Sequence, residues 1–386
     1  MTLIDKTKEI LRELIGFPTV SADSNLSLIR YVAGYLNELG ADVFLDYDDT
    51  GKKANLFATL GPKIDGGIVL SGHTDVVPVE GQQWHSDPFT MYEKDGYLYG
   101  RGSCDMKGFI AACLAVAPLY AKRELNRPVH FSFSYDEEVG CLGAAKLAEE
   151  LKRRNIRPAV AIVGEPTNMR VMEGHKGCVD YTVEFTGLDG HSSNPDAGVN
   201  AVEYAVRYIS RLLELGEALK NRAPQNSRFQ PPWSTLQVGR IQGGQAHNII
   251  AGHCTVDWEM RPVQAADVDY VQGHIDAYCE QELLPAMRVV SEQAAIQTLV
   301  TAEVIGLEPV DESEARQIVY ELTGADQCGV VAFGTEAGLF QKMGMSAVIC
   351  GPGSIEQAHK PDEYVSLEQL QCCLDMLEKL ADKLLA

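Results

Sequence analysis

Four short apolar runs in this chain end in groups that bind metals or move protons. That placement constrains the fold more than any other feature of the sequence. "GGIVLSG" runs into His73 and Asp75, "VHFSFSYD" into Glu137 and Glu138, "AVAIVG" into Glu165, and "SAVICGPG", a short loop later, into His359. Apolar runs of this length, bounded by Gly and polar residues, read as buried strands. In open α/β sheets, sites gather at the carboxyl ends of strands, so four runs with the same kind of ending predict one sheet and one shared cleft. Asp105, in "GRGSCDMKG", stands at a similar junction, just before a helical stretch that opens near Gly108.

Taken singly, each of these residues reads as a turn, a cap or a solvated charge. Together they supply two imidazoles and several carboxylates. This donor set suits zinc, cobalt or manganese, whereas a structural zinc site would want cysteines at fixed spacing. Five ligands can serve two divalent ions if one carboxylate bridges them, at about 3.5–4 Å, the arrangement of hydrolytic two-metal sites.

Composition narrows the alternatives. The chain carries 33 basic and 54 acidic residues, a formal charge of −21, which argues against nucleic acid as a partner. It has 10 cysteines but no Cys-x-x-Cys pair, so reduced, buried thiols are expected, with Cys104 a spectator. The first residues, "MTLIDKTKEILRELIGFPTV", read as an amphipathic helix and not as a signal peptide, so a cytoplasmic location is expected. The apolar stretch Phe109–Ala121 is too short to span a bilayer and contains Pro118, so it reads as a buried helix, and no membrane segment is expected.

At 386 residues the chain has room for two domains. The ligand-ending runs lapse between about Asp180 and Arg288, where the pattern changes to strand "DYTVEFTG", a helix after Pro195, strands "STLQVGRIQ" and "HCTVDWEMRP", and a helix from about Asp267 to Leu284. This order predicts an α+β, ferredoxin-like domain at residues 180–288 inserted into an α/β domain with a central mixed sheet flanked by helices, formed by residues 1–179 and 289–386.

The runs "SGHTDVVP", "GRGSCDMKGFIA", "DEEVG", "GEPT", "GLDGHSSNPDAGVNA" and "GPGSIEQAHKPDEYV", in this order and at these separations, resemble the acetylornithine deacetylase/succinyl-diaminopimelate desuccinylase family of di-zinc amidohydrolases and peptidases. The resemblance covers nearly the whole chain. It implies two divalent ions, zinc first and cobalt as an alternative. One would be held by Asp105, His73 and Glu165, the other by Asp105, Glu138 and His359, with Asp105 bridging. It implies Glu137 as general base, and Asp75 as the carboxylate that receives the far N–H of His73 and fixes its tautomer. A cis peptide is implied at Asp105-Met106.

The same resemblance makes the inserted domain a lid that also forms a homodimer. His191 would reach the partner's site to stabilise an oxyanion, Arg261 would grip a carboxylate, and Asn248 and Thr335 would contact substrate. Read from their own surroundings, His191 is a loop residue before a helix start and Arg261 a strand-end charge. No role falls to His85, His130, His175, His253 or His274. The runs "HKG", "FGTEAGLFQ" and "GPGSIEQAHKPDEY" turn the resemblance towards hydrolysis of N-acetyl-L-ornithine to L-ornithine and acetate, a step of arginine biosynthesis. Desuccinylation, a dipeptidase or aminoacylase activity, and, more remotely, a non-catalytic binding protein on the same fold stand as alternatives.

Overall fold

The computed structural model describes residues 1–385. The chain forms two compact units, one made of Met1–Gly174, Pro309–Val330 and Thr335 onward, the other of His175–Glu308 with Val331–Gly334. Among the described residues no helix is long and apolar enough to cross a membrane.

The first unit is built on an eight-stranded mixed sheet. Its strands are β1 (Asp42–Tyr47), β2 (Ala54–Leu60), β3 (Ile68–His73), β4 (Val129–Ser134), β5 (Val160–Pro166), β6 (Val171–His175), β7 (Cys328–Val331) and β8 (Ser346–Gly351), in the spatial order β1-β2-β4-β3-β5-β8-β6-β7. The middle four, β4, β3, β5 and β8, are mutually parallel. They are also the runs that the sequence singles out. A parallel strand is covered on both faces, and β3, β4 and β5 are buried at every position.

One cover is helix α2 (Lys107–Ala121), apolar on nearly all sides, with Phe109, Ile110, Leu114 and Val116 fully buried. Such all-round burial demands a second layer, which α1 (Leu3–Ile15) and α3 (Leu367–Lys383) provide. The stretch expected to be a buried helix is therefore one, with Pro118 inside it. Helix α1 starts on a capping box in which Thr2 and Asp5 satisfy each other's backbone amides. A Cβ at Gly164 would stand 2.0 Å from the Phe109 ring. The position before Glu165 must therefore be glycine for α2 to lie against β5.

The second unit carries a four-stranded antiparallel sheet in the order Thr235–Gly243, His253–Arg261, Cys178–Thr186, Ala295–Val304. Helices Ala201–Lys220 and Ala266–Tyr278 pack on it through Tyr208, Leu212 and Ile275 against Val183, Phe185 and Val256. This is the β-α-β-β-α-β order of a ferredoxin-like sandwich.

The unit's bounds, His175–Glu308, differ from the expected 180–288 because strand Ala295–Val304 belongs to this sheet. That strand lies at the sheet edge and is largely exposed. Its apolar Leu299 and Val300 are exposed, and the chain returns to the first unit only after it. The outgoing and returning chains lie side by side, with reciprocal 3.1 Å backbone hydrogen bonds between His175 and Leu307.

Candidate metal centre

At the carboxyl ends of β3, β4, β5 and β8, the side chains that follow the four apolar runs converge. His73 Nε2 lies 2.9 Å from Asp105 Oδ1 and 3.7 Å from Glu165 Oε1. His359 Nε2 lies 3.4 Å from Asp105 Oδ2 and 3.1 Å from Glu138. The two oxygens of Asp105 are thus directed at two different imidazoles, each of which has a further carboxylate beside it. Oxygen and nitrogen atoms of His73, Asp105 and Glu138, and separately of His73, Glu137 and Glu165, lie within 4.8 Å of one another. A cis peptide joins Asp105 to Met106.

Electrostatics mark this cluster as incomplete without cations. Burial pushes the carboxyls of Glu137 and Glu165 well above the usual range, and the neighbouring carboxylates add to it despite the opposing pull of His73. For Asp105, hydrogen bonds from His359 and His73 outweigh burial and hold it below that range. The Asp105 and Glu138 carboxylates in turn lift His359 to about 10. Buried Glu165 Oε1 has no hydrogen-bond partner at all, an expensive condition that a bound ion would relieve. The donor set of imidazole and carboxylate, without thiolate, fits zinc, cobalt or manganese.

Asp75 departs from its expected geometry. His73 Nδ1 donates most closely to the Asp75 backbone carbonyl, at 2.9 Å, and stands 3.6 Å from Oδ1. The carboxylate instead accepts from the amides of Glu137 (3.1 Å) and Glu138 (3.3 Å) and from Ser21 Oγ (2.7 Å). Asp75 therefore orients the histidine mainly through its own backbone and holds the Glu137–Glu138 peptide with its side chain. Glu137 is half-buried, and its nearest side-chain partner is the Cys141 thiol at 3.6 Å.

Two buried carboxylates near the site carried no signal in the sequence reading. Glu363 accepts from the backbone amides of Gly102, Cys104 and Asp105 at 2.9–3.1 Å and pairs with buried Arg101 at 2.8 Å, fixing the loop that presents Asp105. Glu336 accepts from Ser71 and Ser134. Cys104 is buried with its thiol pushed well up by burial, in keeping with a spectator.

The remaining expected site residues are not part of this cluster. Thr335 is buried and accepts from the Ala337 amide at 3.1 Å, just before a short helix. In the second unit, exposed His191 lies opposite Ile249 on a two-stranded ribbon, next to Asn248, with its Nδ1 2.8 Å from Ser193 Oγ. Arg261 is paired with Glu259 at 2.9 Å.

The chain is similar to the acetylornithine deacetylases of Photorhabdus laumondii (34% identical over 383 residues, covering 97% of this chain and 96% of the relative) and Klebsiella pneumoniae (36% over 381 residues, 96% of each). Among solved structures it shares its fold with aminopeptidase PepT from Bacillus cereus (TM-score 0.71, 18% identity, covering 99% of this chain and 98% of that one). It shares it too with the YXEP protein of Bacillus subtilis, described as a dinuclear metal-binding peptidase (TM-score 0.66, 17% identity, 99% and 98%). Residues 69–383 match Peptidase family M20/M25/M40, and the chain, a hydrolase of amide bonds, belongs to that family.

Proposed function

We propose that this chain hydrolyses an N-acyl amino acid in a metal-dependent reaction, with N-acetyl-L-ornithine as substrate and L-ornithine and acetate as products, as a cytoplasmic step of arginine biosynthesis. The names of its relatives support the substrate. One geometric observation carries the chemistry: the Asp105 carboxylate points one oxygen at His73 and the other at His359. In this reading Asp105, His73 and Glu165 would hold one divalent ion, zinc or else cobalt, and Asp105, Glu138 and His359 would hold the other. The dinuclear description of the YXEP protein supports the count.

When bound, the ion pair polarises the scissile carbonyl and brings the pKa of water down towards neutrality. Everything else falls to the chain's own groups. Glu137 takes a proton from the attacking water as its oxygen adds to the acyl carbon, then delivers that proton to the departing amine as the C–N bond breaks. Asp75 holds the Glu137 amide and, through its carbonyl, His73. In a homodimer, His191 of one subunit's inserted unit stabilises the developing oxyanion at the partner's site. Arg261 binds the amino-acid carboxylate, with Asn248 and Thr335 as further contacts.

The test is turnover of N-acetylornithine, succinyl-diaminopimelate and a dipeptide by metal-stripped and metal-loaded protein. Hydrolysis of acetylornithine, lost on chelation and restored by zinc or cobalt with the far-UV circular dichroism unchanged, is the expected result. Preference for either of the other substrates overturns the substrate assignment.

A further inference from the structure

Glu336 is 1% exposed, and no role has been assigned to it so far. Both its oxygens are occupied. Ser71 Oγ donates to Oε1 at 2.6 Å and Ser134 Oγ to Oε2 at 2.8 Å, so each oxygen is tied to a different strand.

The positions of the two serines give this clamp its meaning. Ser71 lies on β3 two residues before His73, so the two side chains share a face of the strand. Ser134 lies on the adjacent parallel strand β4, where it is the register partner of His73, and it leads directly into the run bearing Glu137 and Glu138. Glu336 therefore ties together the two strand ends that deliver His73 on one side and the paired glutamates on the other. Among the described residues no lysine or arginine forms an ion pair with it, and its two oxygens face only the Ser71 and Ser134 hydroxyls. A buried carboxylate held only by neutral hydroxyls is costly unless positive charge stands nearby. The natural source of that charge is a cation at His73.

We propose that Glu336 is a positioning residue of the metal centre, locking the ends of β3 and β4 in register and strengthening cation binding on the His73–Glu165 side. The inference rests on the two-ion reading above. It assigns to the glutamate of "FGTEAGLFQ" a task that acts through Ser71, Ser134 and His73, without contact to substrate.

The test uses the full chain, stripped of metal and titrated with Zn²⁺ against a chromophoric chelator, as wild type and as Glu336→Gln, which keeps the size and removes the charge. Thermal melting of the metal-free forms runs in parallel. The expected result is that one of the two binding steps weakens about 10–100-fold, the usual effect of removing a partner behind a metal ligand. The other step should weaken less, because the Glu138 amide is also anchored by Asp75 and His359 lies outside the clamp. The metal-free Glu336→Gln protein should melt no lower than wild type, because an uncompensated buried charge has gone. A merely structural anchor would lower the melting temperature and weaken both steps equally, and that outcome overturns the inference, as do two unchanged steps in a folded variant.

Should Glu336→Gln fail to fold, Ser134→Ala removes one tether and must weaken the same step by a smaller factor; an unchanged step overturns the inference. The affected step is identified in a His359→Ala background, where it should be the one that survives. If the wild type takes up a single ion, the two-ion reading falls. The same variant still decides the role of Glu336, since unchanged affinity for that ion overturns it.

Discussion

In the first unit, His73, Asp105 and Glu165 are 0%, 5% and 3% exposed. They are held by contacts that span the chain, such as Glu363 bonding the Asp105 amide from 258 residues away. In the second unit, His191 and Asn248 are exposed and the Arg261 side chain is 42% exposed. The side-chain partners of His191 and Arg261 lie two residues off, Ser193 and Glu259. The first arrangement suits groups that must keep one geometry through every turnover. Repelling carboxylates are forced together there by burial, and their cost is offset by whatever cation they bind. The second suits groups that engage a substrate only when it arrives, because local partners are readily exchanged.

The sharpest way to break this comparison is to remove the one buried-cluster residue that is assigned proton transfer and no metal. Glu137→Gln should lower kcat about 10²–10⁴-fold with metal content, measured by atomic emission, close to wild type. If metal content falls with activity, Glu137 belongs with the ligands and the division of labour within the "DEE" run is wrong.

Next in size is the exposed counterpart. His191→Ala should reduce kcat about 10²–10³-fold, as loss of an oxyanion donor does, while KM and metal content hold. Wild-type turnover in this variant would leave the inserted unit without a part in the chemistry. Mixing inactive His191→Ala with inactive Glu137→Gln subunits should restore activity if the histidine acts on the partner's site.

Legibility in the sequence divides along the same line. The cluster was legible because His73, Glu138, Glu165 and His359 directly follow, or closely trail, apolar runs, and a parallel sheet brings the ends of its strands to one edge; Asp105 instead stood out at a junction before a helix. Glu363 and Glu336 were not. Each is an acidic residue in a loop-like stretch, and only the partners reveal its role: Ser71 lies 265 residues from Glu336, and Arg101 lies 262 from Glu363. The ferredoxin-like unit was legible through its alternating strands, except for its edge strand Ala295–Val304, where the adjacent Leu299 and Val300 interrupt a clean alternation. Family resemblance supplied the roles of His191 and Arg261; nothing in their own surroundings would have done so.

Asp75 tests how finely the buried cluster is tuned. Its backbone carbonyl keeps the close contact to His73 Nδ1 whatever the side chain is. Asp75→Asn should therefore retain both ions. The amide cannot accept on both sides as the carboxylate does from Ser21, Glu137 and Glu138, so the Glu137 peptide should shift. A 10–100-fold loss of kcat is expected, on the order seen for disrupted outer partners. Loss of a metal ion in this variant would show that the 3.6 Å approach of the carboxylate to His73 matters more than the carbonyl bond.

The smallest effect falls on Arg261. Its guanidinium is already engaged, with Nε 3.2 Å and Nη2 2.9 Å from one oxygen of Glu259. Binding a substrate carboxylate means sharing or leaving that partner. The net gain is therefore well below that of a free, buried fork, and exposure reduces it further. Arg261→Lys, which keeps the charge and loses the planar fork, should raise KM about tenfold, equivalent to roughly 1.4 kcal/mol, with kcat unchanged. Glu259→Gln should move KM the other way, within about threefold, because it frees the guanidinium without altering its position. If Arg261→Lys lowers kcat and leaves KM alone, the arginine acts on the transition state, and the exposed unit shares in the fixed geometry that the comparison reserves for the buried one.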